Sequence, residues 1–172
     1  MQEVRAAVIG TGVMGRKYAQ MIAEGKAGAL CLTAVVCRSA GAQQWAKDTL
    51  PDTVRVCSSA EALYDHTEEF DAVLVVTPHK THPALVMQAF AHGKHVLCDK
   101  PSANALAPAL EMNRAAEKSG LVFAMMFHQR RYKKYMRLKK LLDDGALGEI
   151  KRVQLENSRY FRTWMYLSLI HI

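Results

Sequence analysis

No stretch of this sequence reaches the roughly 18 consecutive apolar residues that a membrane-spanning helix needs. Its start, Met1-Gln2-Glu3-Val4-Arg5, has neither the basic opening nor the cleavage site of a secretory leader. Cysteines are few and scattered. Cys31, Cys37, Cys57 and Cys98 show no close paired spacing and fall in or beside apolar runs. Reduced, buried thiols in a cytoplasmic protein are therefore expected, and neither a disulfide framework nor a zinc or other metal site. An excess of one charge is missing from most of the chain as well. Residues 1–127 carry 12 Lys/Arg against 12 Asp/Glu, whereas the last 45 residues carry 11 against 4, so the whole net charge of +7 resides there. The basic run Arg130 to Lys140 mixes cations with tyrosines, as a nucleic-acid surface would. However, Tyr135, Leu138, Leu141 and Leu142 recur at helical spacing, which leaves the lysines on an opposite, solvated face. Neither nucleic acid nor membrane is the expected partner.

What is present is the composition of a soluble globular protein, with 50% apolar and 23% charged residues in 172. That length suits one well-buried domain and part of a second. Apolar runs at 4–9, 32–37, 54–57, 72–76, 95–98 and 121–126 read as strands. Helical patterns at about 13–24, 41–49, 59–64, 82–92 and 104–118 separate them. In the first helix, Met14, Tyr18, Met21 and Ile22 share a face; Ser58 with Glu61 offers a capping box, and Thr81 caps the helix that carries Pro83 in its first turn. Alternation of this kind predicts an α/β fold, a Rossmann-type doubly wound parallel sheet whose ligands gather at the carboxyl ends of the strands. Past residue 128 a basic helix runs to Asp144, and 150–160 reads as one long strand without a partner in the sequence, so it should belong to a sheet that this chain does not contain.

The chemistry collects at those carboxyl ends. Gly10-Thr11-Gly12-Val13-Met14-Gly15 follows the first strand and opens the first helix. In that context Gly10 permits the tight turn, Gly12 lets backbone approach a pyrophosphate, and Gly15 lets helix and sheet pack closely. The helix N-terminus then faces the phosphates. After the second strand, where an acid would hold the ribose 2′-hydroxyl of NAD, the sequence has Cys37-Arg38-Ser39. A guanidinium and a hydroxyl suit a 2′-phosphate, which favours NADP, with NAD as the alternative. Thr77-Pro78-His79-Lys80-Thr81-His82 and Cys98-Asp99-Lys100-Pro101 follow the next two central strands. Lys100 is placed to polarise a substrate oxygen or donate a hydrogen bond to it.

Taken together, Gly10–Gly15, Thr77–His82, Ala91–Pro101 and Gly145–Ile150 resemble the Gfo/Idh/MocA family, the glucose–fructose oxidoreductase and inositol dehydrogenase type of NAD(P)-dependent oxidoreductases. The resemblance covers about residues 4–163. It implies that Lys100 matches the active-site lysine of the family's EKP motif, with Asp99 in place of Glu. Thr77, Pro78 and His82 match the loop beside the nicotinamide ribose, and Arg130 or Arg131 matches the arginine after the last Rossmann strand, although Lys133 stands where proline is usual.

The expected organisation is a dinucleotide-binding domain over 1–127, the truncated start of a C-terminal substrate and oligomerisation α/β domain over 128–163, and an atypical tail over 164–172. The tail does not continue the family pattern, as in a truncated reading frame, and His171 is not the acid/base histidine that the family's second domain supplies. The cofactor contacts are expected from Gly10, Thr11, Gly12, Val13, Met14, Gly15, Arg38, Ser39, Thr77, Pro78, His79, His82, Asp99, Lys100 and Arg130, with Lys100 catalytic. The implied activity is hydride transfer between a nicotinamide cofactor and a sugar, polyol or related carbinol or carbonyl substrate. The full-length protein would be a homo-oligomer and this fragment inactive alone. The alternative is a Rossmann protein that binds or senses a dinucleotide without chemistry.

Overall fold

The computed structural model describes residues 3–156 and divides after Met126 into two compact units. In the first unit every expected strand forms: β1 (Val4–Ile9), β2 (Leu30–Val36), β3 (Arg55–Cys57), β4 (Ala72–Val75), β5 (His95–Cys98) and β6 (Phe123–Met125). They make one sheet in the order β3-β2-β1-β4-β5-β6, all neighbours parallel. The order reverses between β1 and β4, and in an open α/β sheet that switch point is where the crevice for a ligand opens.

Five helices cover the sheet: α1 (Val13–Ala23), α2 (Ala40–Thr49), α3 (Ala60–Tyr64), α4 (His82–Ala91) and α5 (Leu106–Ser119). The alternation of side chains along a strand sorts them into two layers. Ala7 and Ile9 of β1 join Val73, Val75, Leu63, Val86 and Met112 in one core, whereas Ala6 and Val8 join Val35, Leu74, Ala19 and Ala46 in the other. Thus α1 and α2 lie on one face and α3, α4 and α5 on the other. Burial on both faces is the reason β1 and β4 read as continuous apolar runs rather than alternating ones. Fully burying a side chain such as Leu63, Phe70 or Val73 contributes about 1.5–3 kcal/mol.

Three local expectations are corrected. The buried face of α1 is Gly15, Ala19 and Ile22, while Met14 and Met21 are exposed. Close approach to the sheet selects the small residues for the interface and turns the long ones outward. The cap of α3 is Ser59, whose hydroxyl accepts the Ala62 amide at 3.2 Å, not Ser58. Glu61 then lies at the second helical position rather than the third, where a reciprocal box would need it. Thr81 precedes α4 without capping it by its side chain. A 3-10 turn over His79–Thr81 engages its hydroxyl instead, 2.7 Å from the Pro78 carbonyl and 2.8 Å from the Thr77 hydroxyl.

The second unit has a 3-10 turn over His128–Arg131 and α6 (Lys133–Asp143), which ends at Gly145. Lys139 and Lys140 pair with Asp143 and Asp144 one turn on. The strand expected over 150–160 does not form over 150–156, because a strand needs a neighbour for its hydrogen bonds; its remainder, and the tail over 164–172, lie outside the described residues. No described helix is long and apolar enough to cross a membrane.

Candidate functional site

The three glycines after β1 owe their identity to different causes. Gly10 has φ +102°, and a Cβ there would meet the Val76 carbonyl oxygen at 2.7 Å and Thr77 Cγ2 at 2.8 Å. A Cβ on Gly15 would lie 1.8 Å from the Gly10 carbonyl oxygen. Both are required by packing within the fold. Gly12 is not: its φ of −68° suits any residue, and a Cβ there would meet nothing within 4 Å. The space that it keeps clear lies outside the protein.

That space faces the start of α1. The first intrahelical bond runs from the Arg16 amide to the Gly12 carbonyl at 3.0 Å, and Gly12 offers no side-chain cap. The amides of Val13, Met14 and Gly15 precede that bond and point out of the helix end. The first turn holds no acid. Helix dipole and free amides together fit an anionic group, and a pyrophosphate suits the room left at Gly12. Thr11 completes the turn, its hydroxyl 3.5 Å from the Val36 carbonyl at the end of β2.

Beside it, Arg38 and Ser39 leave β2 exposed to solvent. Ser39 caps α2 by accepting the Ala42 amide at 3.2 Å, which leaves its proton to donate outward. At the ends of β4 and β5 come the other two loops. Thr77 and His79 are half-buried, and Pro78 and Lys100 are exposed. The Asp99 carboxylate accepts the Lys100 amide at 2.9 Å and so stiffens that loop. His79 is held below the ordinary imidazole range by burial, then by the His82 ring and Lys100. Cys98, immediately before Asp99, is pushed up to about 12 by burial and then by that carboxylate, so it is a core thiol and not a nucleophile.

One expected contact turns inward. His82 is fully buried, with both ring nitrogens against backbone carbonyls, so its ring has no face for a cofactor. Arg130 belongs to the second unit, where its guanidinium covers the Phe127 ring at 4.6 Å. The remaining expected residues lie at the carboxyl ends of β1, β2, β4 and β5.

Two residues at this edge escaped the sequence reading. Arg16 bonds the Thr11 carbonyl at 3.0 Å and lies 4.9 Å over the Trp45 ring, which sets a cation beside the glycine turn. Its signal was available, since a basic pair, Arg16-Lys17, near the start of a helix opposes the dipole unless an anion is to be met there. Tyr18 had no such signal. Its hydroxyl is raised above the ordinary phenol range by burial and then by the charge of Asp99 in the loop after β5. The one group of potential metal ligands among the described residues, His66, Glu68 and Glu69, precedes β4, at the opposite end of that strand from Thr77, and Arg55 holds both Glu69 oxygens.

Known proteins share this fold. Inositol 2-dehydrogenase 2 of Mycolicibacterium vanbaalenii is 35% identical over 151 residues, which is 87% of this chain and 43% of that protein. The 2,7-anhydro-N-acetylneuraminate hydratase of Mediterraneibacter gnavus is 30% identical over 155 residues, or 87% of this chain and 38% of that protein. Scyllo-inositol dehydrogenase of Lactobacillus casei, solved with NAD(H) and scyllo-inositol, superposes with a TM-score of 0.78 at 26% identity, over 86% of this chain and 43% of that one. The chain thus spans less than half the length of these relatives. Residues 4–127 match the profile of the oxidoreductase family with an NAD-binding Rossmann fold. With more than half of its length in that match, the chain belongs to this oxidoreductase family.

Proposed function

We propose that this chain is the cofactor-binding part of an oxidoreductase that moves a hydride between a nicotinamide dinucleotide and a carbinol or carbonyl carbon of a sugar or polyol. The observation that carries the reading is Gly12: a glycine with no packing reason, at a bare helix N-terminus, on the switch point of the sheet. The amides of Val13 to Gly15 hold the pyrophosphate. Arg38 and Ser39 meet a 2′-phosphate, which makes NADP the preferred cofactor. Thr77, Pro78 and His79 line the nicotinamide ribose. When bound, the nicotinamide ring supplies the carbon that gives or accepts hydride.

Lys100 then acts on the substrate. Its ammonium, at the end of a loop stiffened by Asp99, donates a hydrogen bond to the reacting oxygen and stabilises the negative charge that develops there. The inositol dehydrogenases among the relatives support a polyol as the substrate class. Those relatives extend over more than twice this length, and in this reading the group that moves the proton, together with most substrate contacts, lies in that additional length.

Calorimetric titration of the 172-residue chain tests the reading. NADP(H) should bind more tightly than NAD(H), without turnover of any polyol. Replacing Arg38→Ala should weaken NADP by about 10- to 100-fold, the worth of a lost charge-assisted contact, and leave NAD unchanged. Equal affinity for both cofactors, indifferent to Arg38, would overturn the NADP assignment. Absence of binding to either would overturn the cofactor role itself.

A further inference from the structure

His82 is the only fully buried side chain of a polar or charged type among the described residues. It opens α4, yet its ring reaches two separate loops. Nδ1 lies 2.9 Å from the carbonyl oxygen of Pro101, and Nε2 lies 2.8 Å from the carbonyl oxygen of Thr77. Both partners accept and neither can donate. A neutral imidazole carries one N–H and one lone pair, so either tautomer would turn a lone pair onto a carbonyl oxygen at hydrogen-bond distance. Only the imidazolium donates from both nitrogens.

Two charge-assisted bonds in a buried setting offset the desolvation of the cation. The titratable groups gathered here are His79 on the preceding turn and Asp99 and Lys100 on the loop after β5, and both of the latter act on His79. The His79 ring stands 5.9 Å from the His82 ring, edge on. Asp99 is the anion of the set.

The two carbonyls belong to the segments that the proposed function uses most. Thr77 begins the loop after β4, and Pro101 directly follows Lys100. We propose that His82 is a positioning residue: as a buried imidazolium it ties the Thr77 carbonyl to the Pro101 carbonyl and so sets the distance between the nicotinamide-side loop and Lys100. The role of the tie in catalysis rests on Lys100 acting at the cofactor, whereas the tie itself does not. Loss of the ring proton removes one of the two bonds.

Histidine-selective 15N NMR on the full chain tests the tie. His82 should show two protonated ring nitrogens. One protonated and one bare nitrogen at neutral pH would overturn the proposal, with no substitution required. The second arm follows backbone amides on addition of NADP. In the unmodified chain Gly12 and Lys100 should both shift. In His82→Gln, which keeps a donor but cannot span two opposed carbonyls, Gly12 should still shift and Lys100 should lose its response. An undiminished Lys100 response in that variant would overturn the positioning role. A silent Gly12 in the unmodified chain would instead count against cofactor binding and leave the two-nitrogen result standing.

Discussion

At the scale of single residues, the glycine turn separates what the fold demands from what a ligand demands. Gly15→Ala places a Cβ 1.8 Å from a backbone oxygen, which no side-chain adjustment can relieve, so α1 must move off the sheet. A loss of stability at or above the usual overpacking range of about 1–3 kcal/mol is expected, read as a lowered thermal midpoint. Gly12→Ala enters open space at an allowed φ and changes only the cap, for which about 1 kcal/mol is the expected ceiling. Its cost should appear in NADP titration instead, as a fall of tenfold or more, about 1.4 kcal/mol per decade. Equal effects of the two substitutions on the thermal midpoint would contradict the distinction. Glycine spacing announced this site in the sequence, and Lys100 and Arg38 could be assigned to the ligand edge because strands end where apolar runs end. The burial of His82 could not be read so. A histidine beside a ligand loop looks alike in sequence whether its ring faces out or in, and the decision rests on carbonyls 5 and 19 residues away.

At the scale of elements, the start of β1 is fastened to the start of β4. The Asp71 carboxylate accepts the Arg5 backbone amide at 3.0 Å and its guanidinium at 2.7 Å, across 66 residues of chain. These bonds, led by the side-chain bond to Arg5, hold the Asp71 carboxyl below the ordinary carboxylate range. Folding therefore lowers this pKa. The stabilisation is fully present above the unfolded value of about 4 and disappears as pH falls through the folded one. Both partners are substantially exposed, so the effect is modest. Urea midpoints measured across the acidic range should fall less steeply for Asp71→Asn than for the unmodified chain, and parallel slopes would remove the assignment. All six strands were legible because parallel strands buried on both faces leave continuous apolar runs. Caps were less so. Ser58 and Ser59 are adjacent and chemically alike, and only the path of the backbone into α3 decides which hydroxyl meets an amide. The segment at 150–156 shows the opposite limit: it has strand composition but forms no strand, because composition cannot supply a neighbouring strand.

At the scale of the whole molecule, the second unit carries an amphipathic helix whose apolar side chains remain partly exposed. Tyr135, Leu138, Leu141 and Leu142 of α6 retain 37–48% exposure. A contiguous apolar patch of this kind marks a surface that associates. Light scattering should give a mass that rises with concentration, and Leu138→Glu with Leu142→Glu should return it to that of a monomer. A constant monomer mass for the unmodified chain would contradict the expectation. The glycine turn has a consequence at this scale too, for how such chains diverge. A lineage that abandons its dinucleotide keeps every reason to retain Gly10 and Gly15, because the turn and α1 cannot pack against the sheet without them. It keeps none to retain Gly12. Substitution at that one position, with its two neighbours intact, is the scar that disuse would leave, and this chain does not bear it.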